Sequence, residues 1–487
     1  MKTLYKILIV LSIPLFIISC NDDLLETAPV TNFSDLTVFD NVDRVEQQVN
    51  GLYASVKNGN FLGGRNFVYH DIRCENFLNE TANNVTGFSV WNHTVQPSNQ
   101  NDVTNLWNQA YLAINRMNVF IEGLDANAAK LKGLGVTDAT LNAYKGEARF
   151  LRGLSYFSLL QLYASPFADG NGSKLGVPLQ LKGNVSSGDN KLERASVGAV
   201  YTQIVDDLNF ADSNLPATRA SALLNSTRAV KSAAIALKTR VYLHMGRYAD
   251  VIAEANKIVS ANAPFTSSAG IAHTLAPAVA DVFKTPYTHV ERIFNFPFTE
   301  NDLPGTQNGL GSYYNPGPRG IGDYSMNTNG LMKDTIGWRN NDDRRSFIFL
   351  VTTKRYWNKF PAGPQHLDFV PVIRYAEVLL NLAEAKARTA GLDAQALALL
   401  NAVRSRSKGN TYTSFATAAD LIEAILLERQ IEFLGEGFRG IDQQRLLRPL
   451  PAKGSVTAIN SNSPAYIWPI PAGELLVNKS CVQNPGY

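Results

Sequence analysis

Charged side chains at helical spacing are the first feature of this chain that could do chemistry. Glu428, Arg429, Glu432, Glu436, Arg439, Asp442 and Arg445 include pairs three or four residues apart, where side chains on a helix meet. Paired carboxylates could run general acid–base chemistry. The competing reading is a set of structural ion pairs, and it is preferred because most such networks hold helices together. Arg374, Glu377 and Glu384 take the same reading. Asn341-Asp342-Asp343-Arg344-Arg345 suggests calcium by composition but lacks the ligand spacing of an EF-hand loop. A structural Asp–Arg pair leading into a strand is expected there instead. The six histidines show no HExxH spacing, and no Gly-rich phosphate loop is present. Cysteines are too few for a cysteine-type zinc site. No catalytic residue, metal or cofactor is expected.

Aromatic side chains offer a different chemistry. Trp91 stands in Gly-Phe-Ser-Val-Trp-Asn-His, flanked by polar residues with no periodicity to bury it, so an exposed ring is expected. Sugars present C–H faces that stack on such rings, while Asn, Asp and Arg bind their hydroxyls. Asn92 adjoins the ring, and Asp71 and Arg73 could supply further polar partners. Tyr313, Tyr314, Tyr324 and Trp338 are additional candidates for the platform. For each of them, a packed loop anchor is the competing reading. Trp107, by contrast, lies on an apolar helical stripe and reads as core.

The elements that must position these residues are mostly helical. Residues 141–163 carry two apolar stripes, Leu141-Tyr144-Ala148-Leu151-Ser155-Leu159-Leu162 and Phe150-Leu154-Phe157. A helix on a single core needs one stripe, so this one is expected between neighbours. Further helices are expected from about Asp40 to Val56, over 103–122, and from the Ser196 cap to about Asn214. Residues 232–265 resemble a tetratricopeptide hairpin turning at Gly246, and a second such hairpin turns at Gly391. Residues 63–100, 131–135 and 166–191 read as loops, the first with brief strands. Residues 266–371 are dense in Gly, Pro, Asn and Tyr, with short strands expected at 293–298, 347–352 and 354–360. A stretch this irregular inside a compact domain is usually functional or disordered, and it is read as an insertion that the helical scaffold presents to a ligand or partner.

Composition and the N-terminus set the compartment. With 45% hydrophobic and 18% charged residues over 487 positions, the chain is globular rather than disordered. A net charge of +3, with no Lys/Arg block, gives no case for nucleic acid. Lys2 and Lys6 precede an apolar run at 7–18 that is too short to span a bilayer and right for a signal peptide. The run closes on Ile17-Ile18-Ser19-Cys20, which resembles a bacterial lipobox; a chance cysteine after an ordinary secretory signal is the alternative. Lipidation at Cys20 would anchor the mature chain stably through multiple acyl chains. Asn21-Asp22-Asp23 resembles a signal for export to the outer face in some Gram-negative phyla. Nothing later is apolar enough to span a membrane, so a tethered soluble body is expected. Cys74 and Cys481 are either one disulfide or two spectator thiols.

Several stretches, in order along the chain, resemble the SusD/RagB family of outer-membrane lipoproteins. They are the lipobox with Asn21 to Leu25, Leu106-Trp107 through Asn118, and Glu147-Ala148-Arg149-Phe150-Leu151-Arg152. They continue with Ile373-Arg374-Tyr375-Ala376-Glu377 to Ala385, and Glu428-Arg429 through Glu436-Gly437-Phe438-Arg439 to Arg445. The last is the end of the chain, from Pro469-Ile470-Pro471 to Gln483-Asn484-Pro485-Gly486-Tyr487. The resemblance implies a mostly α fold, a tetratricopeptide-like helical-hairpin scaffold of about four helix pairs. A loop-rich insertion with short β-strands would form its ligand face. The layout expected is a signal peptide at 1–19 and one domain at 20–487. Within that domain come a tether at 20–36, scaffold at 37–265, insertion at 266–371, and scaffold with tail at 372–487. The resemblance also implies a cell-surface protein without catalysis. It would capture an oligosaccharide on an aromatic platform and deliver it to a SusC-like TonB-dependent transporter. Rival readings are a peptide or other nutrient on the same face, a protein-interaction scaffold, and a glycoside hydrolase, which needs two carboxylates flanking one bond.

Overall fold

The computed structural model describes residues 37–185 and 191–487, so Cys20, the signal segment and the tether lie outside the described residues. Helix α1 (Val42–Val56) is capped by Asn41, whose side chain accepts from the Asp43 N–H, and buries Val45, Val49, Leu52 and Val56 along one face. Helix α2 (Arg65–Ile72) falls where loops and brief strands were expected. All of its residues are buried, so it has no polar face and leaves no amphipathic period to read. A short helical turn, Phe88–Trp91, lies in the same stretch, and another, Ala128–Gly133, replaces the loop expected at 131–135.

Helices α3 (Asn105–Ala126), α4 (Asp138–Tyr163) and α5 (Val197–Asn214) stack in order, with α1 against α3 and α4. The two-stripe helix is α4. From Gly146 to Tyr163 only Arg149 and Gln161 are not buried, because α3 covers one side and α5 the other. Arg152 on α4 fixes the layers. It donates from Nε and Nη2 to Asp207 on α5, and from Nη1 to Asn118 Oδ1 on α3 at 2.7 Å. The Ser196 side chain caps α5 by accepting from the Ala199 N–H.

The two hairpins read from the sequence are α6 (Lys231–His244) with α7 (Tyr248–Ala255), and α8 (Tyr375–Ala390) with α9 (Ala394–Arg406). Gly246 (φ +68°) and Gly391 (φ +75°) make their turns. The hairpins are far apart in sequence but adjacent in space, since α7 packs on α8. Helix α10 (Ala418–Glu432) follows, opened by a capping box between Thr417 and Asp420, and packs on α8 and α9. Helix α11 (Phe438–Arg445) then returns to α2. That contact needs glycine: a Cβ on Gly440 would sit 2.4 Å from the His70 carbonyl oxygen, and Gly437 has φ +81°.

Four two-stranded antiparallel sheets bind the irregular segments among the described residues. β1 (Phe77–Asn79) pairs with β5 (Tyr324–Met326), and β2 (Leu175–Pro178) with β3 (Arg194–Ser196). β4 (Arg292–Phe296) pairs with β8 (Val370–Arg374), from Arg292↔Arg374 to Phe296↔Val370 with the register shifted at Phe294. β6 (Ile348–Val351) and β7 (Lys354–Trp357) form a hairpin. Apolar residues of 266–371, among them Phe283, Phe294, Trp338 and Trp357, join the same core as the helices. Cys74 and Cys481 are separate buried thiols, pushed up by burial to about 12 and about 11, and so unreactive.

The charged motifs form buried ion pairs. Arg374, the last residue of β8, meets Glu291 at 2.6 Å, Glu432 at 2.8 Å and Glu436 at 2.8 Å. Arg344 meets Asp342, Glu428 and Glu432. Arg404 adds a bond to Glu428, Arg406 adds bonds to Glu291 and Glu432, and Lys359 meets Glu436. Five cations thus face five carboxylates, so the cluster is neutral although every member is almost completely buried. Burial pushes the Glu432 carboxyl up, but the guanidiniums of Arg406, Arg374 and Arg344 outweigh it and hold it well below the usual carboxylate range. Removing one partner of such a pair leaves an uncompensated buried charge. Glu432→Ala is therefore expected to destabilise the chain by about 3–5 kcal/mol, measured as a shift in the urea unfolding curve. A conservative surface change such as Glu423→Ala is expected to move it by less than about 1 kcal/mol.

Candidate functional site

All five aromatic residues expected to form an exposed platform are in the core. Trp91 is 7% exposed; its Nε1–H donates to the Phe77 carbonyl at 2.9 Å, and Phe88 stacks on it. Tyr324, in β5, donates to the Thr86 carbonyl, and Tyr313 donates to that of Gln307. The Tyr314 ring packs 4.8 Å from Phe77. Trp338 is fully buried, between the Arg345 guanidinium at 4.3 Å and Trp357. The polar partners are buried as well. Asp71 accepts from the Gly437 N–H, and burial raises its carboxyl to about 7. Arg73 donates to the Tyr466 carbonyl at 2.6 Å. Asn92 alone of these residues is half-buried. Phe77 brings Trp91 and Tyr314 together, and Tyr313 lies 6.3 Å from Tyr324, while Asp71 and Arg73 are held by Gly437 and Tyr466 and Trp338 packs on Trp357. The exposed-ring expectation is thus corrected. Polar neighbours of Trp91 serve backbone turns, as when Asn83 caps the Val85 N–H, and leave the ring free to turn inward.

An open recess lies elsewhere on the insertion, at the end of the β4–β8 ladder. Its volume is about 490 Å³, within the range of small-molecule sites. Leu223, Pro286, Tyr287, Phe298, Leu367 and Phe369 form its apolar walls, and Thr285 and Thr288 supply hydroxyls. Tyr287 has φ +59°, a left-handed conformation that is rare for a bulky residue and costs about 1–3 kcal/mol. Three contacts hold it there. Phe369 stacks on the ring at 4.7 Å and 22°, the Arg292 guanidinium lies 5.1 Å from its centroid, and its hydroxyl donates to Asp368 at 3.2 Å. Strain of this kind gathers at ligand sites, where the surroundings over-determine it.

Arg292 and Asp368 position the stack. Arg292 donates to Asn295 Oδ1, to the Val282 carbonyl and, at 2.7 Å, to the Phe369 carbonyl. Burial lowers its guanidinium to about 10, which leaves it protonated. Asp368 also accepts from the Ala362 N–H, and burial raises its carboxyl to about 6. Thr288 also lines a separate small pocket, whose polar residues include Asn225, Ser226, His273 and His289. Sequence reading passed over Tyr287 and Phe369; a bulky aromatic directly after Thr-Pro and an Asp-Phe pair before a strand were the available signals. A larger recess, about 740 Å³, lies between α1 and α3, with Val38 and Val185 in its lining.

The chain is similar to known proteins over nearly its whole length. Residues 23–243 match a SusD-like family described as starch-binding and associating with the outer membrane, and residues 350–487 match the SusD family. A SusD superfamily protein of Bacteroides fragilis is 31% identical, with 91% of this chain and 99% of that one covered and a TM-score of 0.79. A SusD-like protein of Formosa agariphila is 23% identical over 99% of both chains. The surface glycan-binding protein A of Bacteroides thetaiotaomicron, at 19% identity, shares the fold with a TM-score of 0.71 over 92% of this chain and all of that one.

Asp368 gives the recess a pH signature. Its folded value of about 6 stands above the unfolded value of about 3.9. Between those values the folded chain holds a proton that the unfolded chain has released. Its contribution to stability is therefore full below about pH 4 and is lost as pH rises through about 6. Asp368→Asn is expected to flatten the fall in melting temperature between about pH 4.5 and 6.5, measured by thermal denaturation of both chains.

Proposed function

Because the chain belongs to the SusD family, we propose that it captures a carbohydrate at the outer-membrane surface and binds it at the Tyr287–Phe369 recess. The observation that carries this reading is the half-buried Phe369 ring, fixed by Tyr287 and Arg292 at the mouth of an open recess. Stacking a sugar face on a ring held in this way costs little ordering, and a preorganised site keeps more of its contact energy. Thr285, Thr288 and the adjoining Asn225 and His289 supply hydroxyl partners.

Binding without catalysis fits the carboxylates. Glu428, Glu432 and Glu436 lie beneath guanidinium and ammonium groups in the scaffold, and none lines the recess. A lipid on Cys20 would tether the body to the membrane, and no helix among the described residues is long and apolar enough to cross it. A SusC-like TonB-dependent transporter would receive the ligand, which requires affinity modest enough for release.

Affinity gels cast with neutral polysaccharides test the reading. One polysaccharide is expected to retard the protein, and Phe369→Ala is expected to weaken its binding about tenfold, since a good aromatic contact is worth about 1.4 kcal/mol. Trp91→Ala is expected to lower the melting temperature while leaving retardation in the folded fraction unchanged. Retardation lost in Trp91→Ala but kept in Phe369→Ala would move the site away from the recess.

A further inference from the structure

The chemistry of the recess narrows its ligand, on the premise that the carbohydrate reading holds. No carboxylate, ammonium or guanidinium lines it. Asp368 is 4% exposed and already accepts from the Tyr287 hydroxyl and the Ala362 N–H. Arg292 is 1% exposed, and each of its three nitrogens donates within the protein. A carboxylated or sulfated sugar would find no counter-charge, and burying an unpaired charge is costly. The walls are also poorer in hydrogen-bonding groups than a bare sugar needs. Apart from Thr285 and Thr288 they are hydrocarbon, with Leu223 at 45% exposure standing open at the rim. Each sugar hydroxyl buried there without a partner loses the bond it made to water.

Polar groups lie to one side only, beyond Thr288. The His289 Nδ1 accepts from the Glu291 N–H, so the neutral ring carries its proton on Nε2 as a donor. The adjoining polar pocket, about 40 Å³, holds water-sized groups and not a sugar ring. The site thus has an apolar compartment large enough for a substituent and a polar rim suited to hydroxyls.

We propose that the recess takes an uncharged saccharide bearing an acyl ester. The acyl group lies between Leu223 and Leu367, and the sugar face stacks on Phe369 with its hydroxyls toward the Thr288–His289 rim. The test compares acetylated xylan and acetylated glucomannan with the same polymers after mild alkaline deacetylation, using affinity gels and the mature full-length chain. At least one acetylated polymer is expected to bind at least tenfold more tightly than its deacetylated form. Leu367→Asp, which places a charge in the half-open wall, is expected to remove that preference with an unchanged circular dichroism spectrum and melting curve. Should Leu367→Asp not fold, Leu223→Asp, at the exposed rim, carries the same expectation. Equal binding before and after deacetylation, preferential binding of polygalacturonate, or a preference untouched by the folded variant would overturn the proposal and leave carbohydrate capture standing. Absence of binding to every polysaccharide would overturn both.

Discussion

A neutral cluster of buried charges governs this structure. Arg344, Lys359, Arg374, Arg404 and Arg406 interlock with Glu291, Asp342, Glu428, Glu432 and Glu436. These residues come from the insertion, the end of β8, α9, α10 and the turn between α10 and α11. Desolvating so many ions is tolerable only if every partner is in place, so the cluster enforces one arrangement of segments that hydrophobic packing alone would leave free to slide.

The same cluster fixes the candidate site. Glu291 directly precedes β4, and Arg374 ends β8; the two meet at 2.6 Å where the ladder begins. Arg292, one residue further on, turns its guanidinium to the Phe369 carbonyl, and Phe369 directly precedes β8. The path from the helical scaffold to the stacked rings is thus only a few covalent and ionic links long. A strained Tyr287 survives at its end because the segments on both sides cannot relax. The loop-rich appearance of residues 266–371 is therefore misleading about rigidity: their aromatic residues are packed into the common core, and the recess is what remains open above it.

Helices with one polar face were legible in the sequence, as were the two glycine-turned hairpins and the two-stripe α4. A structural ion-pair role for the charged residues of 428–445 was legible, but of the pairs expected at helical spacing only Asp442–Arg445 forms; the partners Glu75, Glu291, Arg344 and Lys359 are distant in the chain. Helix α2 was hidden because it is buried all round. The site was read least well. Trp91 and Trp338 carry the residue type of a binding platform, but whether a ring in a polar segment faces in or out is decided by packing outside that segment, here by the Phe77 carbonyl and Trp357. Tyr287 and Phe369 meet only because β4 and β8 pair across some 80 residues of sequence.

The central claim is that carbohydrate is held at Phe369. A crystal structure of the mature chain soaked with oligosaccharide cut from whichever polymer retards it tests this most directly. Density for a sugar against Phe369, with its hydroxyls toward Thr288 and His289, is the result predicted. Density confined to the recess between α1 and α3, or to the surface over Asn92, would contradict it.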